Sequence, residues 1–335
     1  MTSMDTQDKR GFQNGIDELF NSALAYRTSS RFRELLQFCA RFKRLAPYNA
    51  ALVAIQKPGA RFVLSAREWQ RRFNRVPKTD SRPVIVLQPF GPVAYLFDVG
   101  DTVSVSPVKD RFPRELSHPY DGDPTQEVPE TLRRNILRSI AFYGISFVKM
   151  RSAPSYSGKI QTGGNNHLRI PISKSVTLPR MPNYTLSVRD ASTPVEDFSA
   201  IIHELGHLFC RHLPSTYKNK KWETRSALSH SAQEFEAETV SWLVCQRLGI
   251  KDTRAYAYLA SYLGQNDEIP AISMDIILCA VRAIEQMLNS HFKYSDGFLY
   301  KFDNGFRDAV RKARGVARSK KEEVPANREQ LTLDI

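Results

Sequence analysis

The sequence has few cysteines and no long apolar run, and each shortage excludes a class of protein. Its four cysteines lie far apart and form no CxxC pair, which argues against a disulfide framework and a cysteine-ligated metal. No uncharged apolar stretch approaches the roughly 18 residues that a membrane helix needs, so we expect no membrane partner. The N-terminus carries no apolar signal core, and together with the cysteine usage this predicts a cytoplasmic location.

The composition is otherwise ordinary, except for its charge. The 335 residues are 41% hydrophobic and 25% charged, which is typical of a globular chain with one large domain or two of usual size. Lys and Arg number 48 against 35 Asp and Glu, a net charge of +13. Such an excess favours polyanionic partners, and nucleic acid before an anionic membrane. Residues 31–82, here called the basic region, contain thirteen basic and three acidic residues. Residues 307–321 contain seven basic residues and one acidic residue.

Hydrophobic periodicity predicts an α+β fold in two domains. We expect a small N-terminal α+β domain over 1–105, a linker over 106–128, a second domain over 129–300, and a basic, largely disordered tail over 301–335. In the first domain, helical patterns cover 12–45, 47–56 and a short segment after the capping box at Ser65, and a hairpin is expected with its turn at Gly91-Pro92. The second domain shows a helix, then several strands of a mixed sheet, then helices from Thr193 to about residue 293.

The segment that carries chemistry lies at the start of that last helical block. Thr193-Pro194-Val195-Glu196 combines an N-cap, a first-turn proline and a capping-box glutamate. His203-Glu204-Leu205-Gly206-His207 follows on the same helix and has the HExxH pattern. Side chains four residues apart lie one above the other, so His203 and His207 can bind one metal ion. Glu204 is offset by about 100° and can take a proton from a water that the ion activates.

A tetrahedral catalytic zinc needs a third protein ligand, and the next predicted helix offers carboxylates. Glu234 can reach the ion, and Glu238, four residues on, can accept a hydrogen bond from a ligand histidine. Two alternatives stay open: Ser231 to Glu234 is itself a capping box, so Glu234 could serve only the helix end, and Glu238 could then be the ligand. Glu236 falls on another face.

Other candidate side chains receive simpler interpretations. We expect Cys210 to be a buried apolar cysteine, and His212 and His230 to be surface or helix-end residues. Tyr256, Tyr258 and Tyr262 could stabilise an oxyanion, and nothing in the sequence selects among them.

At these residues the chain resembles two families of metallopeptidases. HELGH followed by Glu234-Phe-Glu-Ala-Glu238 resembles the zincin-like ImmA/IrrE metallopeptidases, which implies that Glu234 is the third ligand and that Glu238 supports a histidine. EFEAETVSWLVCQRLGI and YLASYL resemble the ArdC-type antirestriction proteins, as do PYNAALVAIQKPGARFV, the helix with Trp69, and PVIVLQP in the N-terminal half. The second resemblance implies a zincin-like metallopeptidase domain behind an N-terminal domain that binds single-stranded DNA.

The basic region agrees with that implication on its own terms. Single-strand binders combine a cationic groove with aromatic platforms, and the region holds thirteen basic residues among its aromatics. We expect Phe38, Phe42 and Phe73 to be core residues and Trp69 to pack inward. The predicted nucleic-acid contacts are Arg61, Arg67, Arg71, Arg72, Arg75 and Lys78. A further hypothesis is that Gln330 to Ile335 binds a bacterial sliding clamp.

Three functional hypotheses follow. The leading one is a metalloendopeptidase with one Zn²⁺ per chain, held by His203, His207 and Glu234, that cleaves a protein substrate with Glu204 as the base. The alternative is a non-catalytic antirestriction protein that binds single-stranded DNA and keeps a structural or vestigial zinc site. The third, which the ImmA/IrrE resemblance implies, is a regulatory protease that cleaves a repressor.

Overall fold

The fold is seen in a computed structural model that describes residues 28–88, 91–106, 125, 127–151, 157–190 and 193–322. It is an α+β fold with several small sheets, as the sequence predicts. The first half contains α1 (Ser29–Arg41), α2 (Pro47–Gln56), β1 (Val63–Leu64), α3 (Ala66–Phe73), β2 (Arg75–Pro77), β3 (Val84–Gln88), β4 (Gly91–Asp98) and β5 (Thr102–Ser104). The predicted helix over 47–56 is confirmed, and the part of the predicted 12–45 helix that precedes residue 28 lies outside the described residues.

Local capping signals start and end the short helix α3. The Ser65 hydroxyl accepts from the Glu68 N–H while the Glu68 carboxylate accepts from the Ser65 N–H, which completes the predicted capping box. Asn74 ends the helix in the left-handed conformation. Between them, Trp69 is fully buried, with its indole N–H donating to Phe97 O at 2.8 Å. The prediction that Trp69 packs inward is confirmed.

The sheet of this half has the antiparallel order β1-β4-β3, and its β3 edge is covered by α2. Gln56 both accepts from the Ile85 N–H and donates to Ile85 O, and Asn49 does the same for Leu87. Two amide side chains thus satisfy the edge that another strand would otherwise pair with. The hairpin is confirmed, but its turn is not at Gly91-Pro92, because Gly91 already pairs with Gln88 inside the ladder.

The second half supplies the larger sheet and most of the helices. Its elements are α4 (Glu130–Phe142), β6 (Ile145–Met150), β7 (Gly158–Thr162), β8 (Leu168–Pro171), β9 (Thr177–Arg180), β10 (Tyr184–Arg189), α5 (Pro194–Phe209), α6 (His230–Leu248), α7 (Thr253–Gln265), α8 (Met274–Met287), α9 (Phe298–Phe302) and α10 (Asn304–Glu322). The main sheet has the order β6-β10-β7, with β6 parallel and β7 antiparallel to β10. Strand β7 therefore forms one edge of this mixed sheet.

The basic end of the chain differs from the prediction. Residues 301–322, assigned to a largely disordered tail, are mostly helical in α9 and α10. Phe306 and Val310 lie four residues apart on α10 and are both buried, so one face of this charged helix belongs to the core. None of the helices among the described residues is long and apolar enough to cross a membrane.

The two halves share one hydrophobic core. The rings of Phe32 on α1 and Phe235 on α6 lie 5.4 Å apart. The buried guanidinium of Arg247, near the end of α6, donates to Cys39 O at 2.8 Å and Phe42 O at 3.1 Å and pairs with Glu285. It further donates to Lys43 O and Leu45 O, so one arginine satisfies the carbonyls at the C-terminal end of α1.

Candidate metal centre

Helix α5 begins as its sequence predicts and carries HExxH into the interior. The Thr193 hydroxyl and the Glu196 carboxylate form a reciprocal capping box, and Pro194 occupies the first turn. The apolar face of the helix, with Phe198, Ile202 and Leu205, is fully buried. Because the helix is enclosed, His203 and Glu204 are only 6% and 7% exposed.

Helix α6 crosses α5 at Gly206, the glycine of the HELGH segment. A Cβ added at Gly206 would lie 3.2 Å from Ala237 Cα and 3.3 Å from Ala237 O. The absence of a side chain therefore lets the two helices approach closely enough for a carboxylate on α6 to reach the histidines. Ser229 is the N-cap of α6 and accepts from the Ala232 N–H, so Glu234 lies in the second turn and does not cap the helix end.

Three side chains converge at this crossing. His203 Nε2 and His207 Nε2 lie 3.1 Å apart. Glu234 Oε2 lies 3.4 Å from His203 Nε2, and Glu234 Oε1 lies 3.3 Å from His207 Nε2. These residues form a group whose ligand atoms are within metal-binding distance of one another, as the sequence predicts for a metal site.

The donor set fits a tetrahedral ion. Ligands about 2.0–2.1 Å from a tetrahedral centre lie about 3.3 Å from one another, close to the separations found here. Two imidazole nitrogens and one carboxylate oxygen are also the donor types that zinc takes in hydrolytic sites. Glu238, the alternative ligand, lies on the Nδ1 side of His203 and not among the three converging atoms.

The charges of this cluster stabilise one another. Burial would lower the pKa of His203, but the carboxylates of Glu234 and Glu238 raise it to about 9. Burial would conversely raise the pKa of Glu234, and the two histidines hold it well below its usual range. Each of these groups therefore favours the charged form of the other, and an entering cation would compete with the proton on the imidazole.

Glu204 lies beside the cluster, under strand β7. A Cβ on Gly158 would lie 3.0 Å from Glu204 Cγ and Oε1, so the strand passes directly over the carboxylate. Burial raises the pKa of Glu204, while the charges of His203 and His207 and a hydrogen bond from the Ile160 backbone lower it in part. A carboxylate with a raised pKa that stays close to a cation is suited to proton transfer near neutral pH.

Glu238 supports His203 from the side away from the cluster. Glu238 Oε1 lies 3.4 Å from His203 Nδ1 and 3.7 Å from the guanidinium of Arg254. The first distance is at the long limit of a hydrogen bond, so the contact is mainly electrostatic. Glu238 is 6% exposed. Burial of Asp252 raises the pKa of that residue, and the negative charge of Glu238 raises it further.

His212, predicted to be a surface or helix-end residue, does follow the end of α5 but is not at the surface. Its side chain is 2% exposed and lies between His207 and Glu236. Glu236, also missed as a site residue, is fully buried; although burial raises its pKa, hydrogen bonds from His212 and Arg225 lower it overall. His230 is 87% exposed in its side chain, as predicted, and Cys210 is a buried free thiol, also as predicted.

A cavity of about 530 Å³ opens in front of the cluster. Ser157 and the first three residues of β7 line one side, and Leu213, Gln233 and Arg254 line others. Arg254 was not singled out from the sequence. Among the three tyrosines, Tyr256 is 61% exposed and lines a different groove, and Tyr262 packs against Phe235. Burial, and then the charges of Glu234 and Glu238, raise the pKa of Tyr258.

The predicted nucleic-acid contacts fall into two groups. Arg61, Arg67, Arg71 and Lys78 are exposed, and Arg72 is half-buried over the Phe73 ring. Arg75 is 8% exposed and donates to the hydroxyl and carbonyl of Thr102, so its charge is used inside the fold. Phe38 and Phe42 are core residues as predicted, and Phe73 is half-buried.

The segment from Gln330 to Ile335 lies outside the described residues. Comparisons of the chain with protein-family models, with curated proteins and with solved structures found no match.

Proposed function

We propose that the chain is a zinc-dependent metallopeptidase of the zincin type that cleaves a protein substrate and binds single-stranded DNA through its basic region. The observation that carries the proposal is the convergence of His203 Nε2, His207 Nε2 and Glu234 at mutual separations of 3.1–3.4 Å. The resemblance of HELGH and of the segment that begins at Glu234 to motifs of the ImmA/IrrE and ArdC-type proteins favours the same activity. A cytoplasmic location stays a prediction from cysteine usage.

An open coordination side supports a catalytic rather than a structural ion. Structural zinc sites are closed by four protein ligands, whereas catalytic sites keep one position free. Here three protein ligands face a cavity of about 530 Å³. When bound, zinc would polarise the scissile carbonyl and lower the pKa of a water.

The chain's own residues supply the remaining steps. The outer edge of β7 runs along the cavity, so an extended peptide can pair with its backbone and lie beside the cluster. A Glu204 carboxylate oxygen accepts a proton from the attacking water and then donates it to the departing amine nitrogen. From α7, Arg254 lines the cavity, with its guanidinium 3.7 Å from Glu238 Oε1.

Two measurements test the proposal. Zinc content should be one per chain in the wild type and should be lost in His203→Ala. Glu204→Gln should keep the zinc and abolish cleavage of a fluorogenic casein and a random peptide library, because the amide cannot accept the proton. Glu223→Gln, an exposed glutamate away from the cluster, is the matched control. Cleavage by Glu204→Gln at the wild-type rate would rule the mechanism out.

The second candidate function is DNA binding without catalysis. The observation in its favour is the exposure of most basic side chains in the basic region. If this function is the correct one, Glu204→Gln is silent in every assay while reversal of charge at Arg67 and Arg71 removes nucleic-acid binding.

A further inference from the structure

A buried series of hydrogen-bonded polar side chains lies behind His207, on the side away from the cluster, and takes no part in the steps above. His207 Nδ1 lies 2.9 Å from His212 Nδ1, and His212 Nε2 lies 2.9 Å from Glu236 Oε2. Glu236 accepts further hydrogen bonds from both terminal nitrogens of Arg225, at 2.5 and 2.8 Å, and from the Ser273 N–H at 2.8 Å. These hydrogen bonds thus connect the candidate metal cluster to the loop after α5 and to the start of α8.

We propose that His212, held by Glu236, is a positioning residue that fixes the ring orientation and the tautomer of His207 for metal binding. This inference rests on the proposed metal site. It concerns the two ring nitrogens of His207: Nε2 faces the cluster, and Nδ1 faces His212.

Only one arrangement of protons satisfies this series of hydrogen bonds. A neutral His207 that offers Nε2 to a cation carries its proton on Nδ1, and this N–H donates to His212 Nδ1. His212 therefore has its own proton on Nε2, where it donates to the Glu236 carboxylate. Arg225 and the Ser273 N–H can only donate, so Glu236 accepts all of these bonds as a carboxylate.

The backbone after α5 brings His212 to this position. The Arg211 N–H donates to Leu208 O and the His212 N–H donates to His207 O, a Schellman ending. Arg211 has a φ of 64°, in the left-handed region where glycine is the usual residue. A larger, strained residue in that place is consistent with a turn whose function is to direct the side chain that follows it.

The same residues do not make a second metal site, although Cys210, His212 and Glu236 lie close enough together to be considered. Both Glu236 oxygens already accept hydrogen bonds, and the adjacent Arg225 guanidinium would repel a cation. Burial also raises the pKa of Cys210 well above its usual value, which disfavours the thiolate that binds metals.

Zinc affinity of the full chain, measured by competition with a chromophoric chelator, tests the role. His212→Leu should bind zinc about 10–100-fold more weakly, the usual cost of losing an outer partner of a ligand. His212→Gln should recover part of this loss, because its carbonyl can accept from His207 and its amide can donate to Glu236. His291→Leu removes an exposed histidine elsewhere and should leave the affinity unchanged.

A second readout does not depend on any variant. In the ¹⁵N spectrum of the zinc-loaded wild type, His212 should be the tautomer protonated on Nε2. A proton on His212 Nδ1, or wild-type affinity in His212→Leu, would overturn the inference. If His212→Leu does not fold, the spectrum and His212→Gln decide. A wild type that binds no zinc would instead overturn the proposed function as well.

Discussion

The candidate metal centre and the basic region hold their charges in opposite ways. In the metal centre Glu204 and Glu238 are at most 7% exposed, and His203 and Glu234 have partners within 3.4 Å. In the basic region most side chains extend into solvent, and only a few, such as Arg75 and Lys57, are paired inside the fold.

The difference determines how each region should respond to substitution. A buried charge depends on one or two partners in a medium that screens poorly, so losing a partner has a large and specific effect. Exposed charges contribute small, similar and salt-screened amounts, and their effects accumulate with number. The largest expected effects therefore lie in the metal centre and the smallest in the basic region.

Removal of Glu234, the proposed third ligand, should have the largest effect. Glu234→Ala leaves only the two histidines as ligands. Loss of an outer partner of a ligand costs up to about 100-fold in metal affinity, and we expect the loss of Glu234 itself to cost more. Chelator competition measures it, and Glu223→Ala is a control outside the cluster. An unchanged affinity would assign the third ligand to another residue.

A side chain at Gly158 should separate hydrolysis from metal binding. In Gly158→Ala the new Cβ would lie 3.0 Å from Glu204 Oε1, so the carboxylate must shift. The required shift is a few tenths of an ångström. Because a displacement of about 1 Å at a reacting group can cost about 100-fold in rate, cleavage should drop by about 10-fold while zinc content is retained. Gly59→Ala, where a Cβ meets nothing within 4 Å, is the control. Wild-type turnover in Gly158→Ala would show that Glu204 does not act from this position.

Neutralising Glu238 should have an intermediate effect. Glu238→Gln weakens the electrostatic support of His203, and zinc affinity should fall about 10–100-fold. The measurement is the same chelator competition, with Glu268→Gln, at an exposed position, as the control. A loss as large as that of Glu234→Ala would indicate that Glu238 binds the ion directly.

Reversing two charges in the basic region should have the smallest effect. Arg67 and Arg71 are exposed and one turn apart on α3. The double change to Glu should weaken binding to a single-stranded oligonucleotide. The slope of log K against log salt concentration should also become shallower, by about 0.7 for each phosphate that is no longer neutralised. Arg169→Glu, an exposed arginine on β8, should have less effect. Equal effects of both variants would mean that only net charge matters.

The parts of the site that follow from local signals could be predicted from sequence. The start of α5 depends on Thr193 and Glu196, and the geometry of His203 and His207 depends only on helical spacing. Glu234 needed one further assumption, that α6 crosses α5 closely, and Gly206 is the residue that permits it.

The parts that depend on distant contacts could not be predicted. His212 comes two residues after the C-cap of α5, and the left-handed residue between them is Arg211 and not a glycine that the sequence would have marked. The partners of Glu236 come from a loop and from the start of α8, at sequence distances of eleven and thirty-seven residues. The many charges of α10 made its apolar face hard to recognise in the sequence. That face is formed by Phe306 and Val310, which are both buried.

Arg247 sets a limit on how the protein can be dissected. Its guanidinium is satisfied by four carbonyls at the end of α1 and in the following turn, so a fragment that begins after residue 60 would keep the arginine and lose those acceptors. Each buried donor left without an acceptor costs about 1–3 kcal/mol. A protease nick between the halves should accordingly leave them associated, and a fragment of the second half expressed alone should unfold at a lower temperature than the full chain.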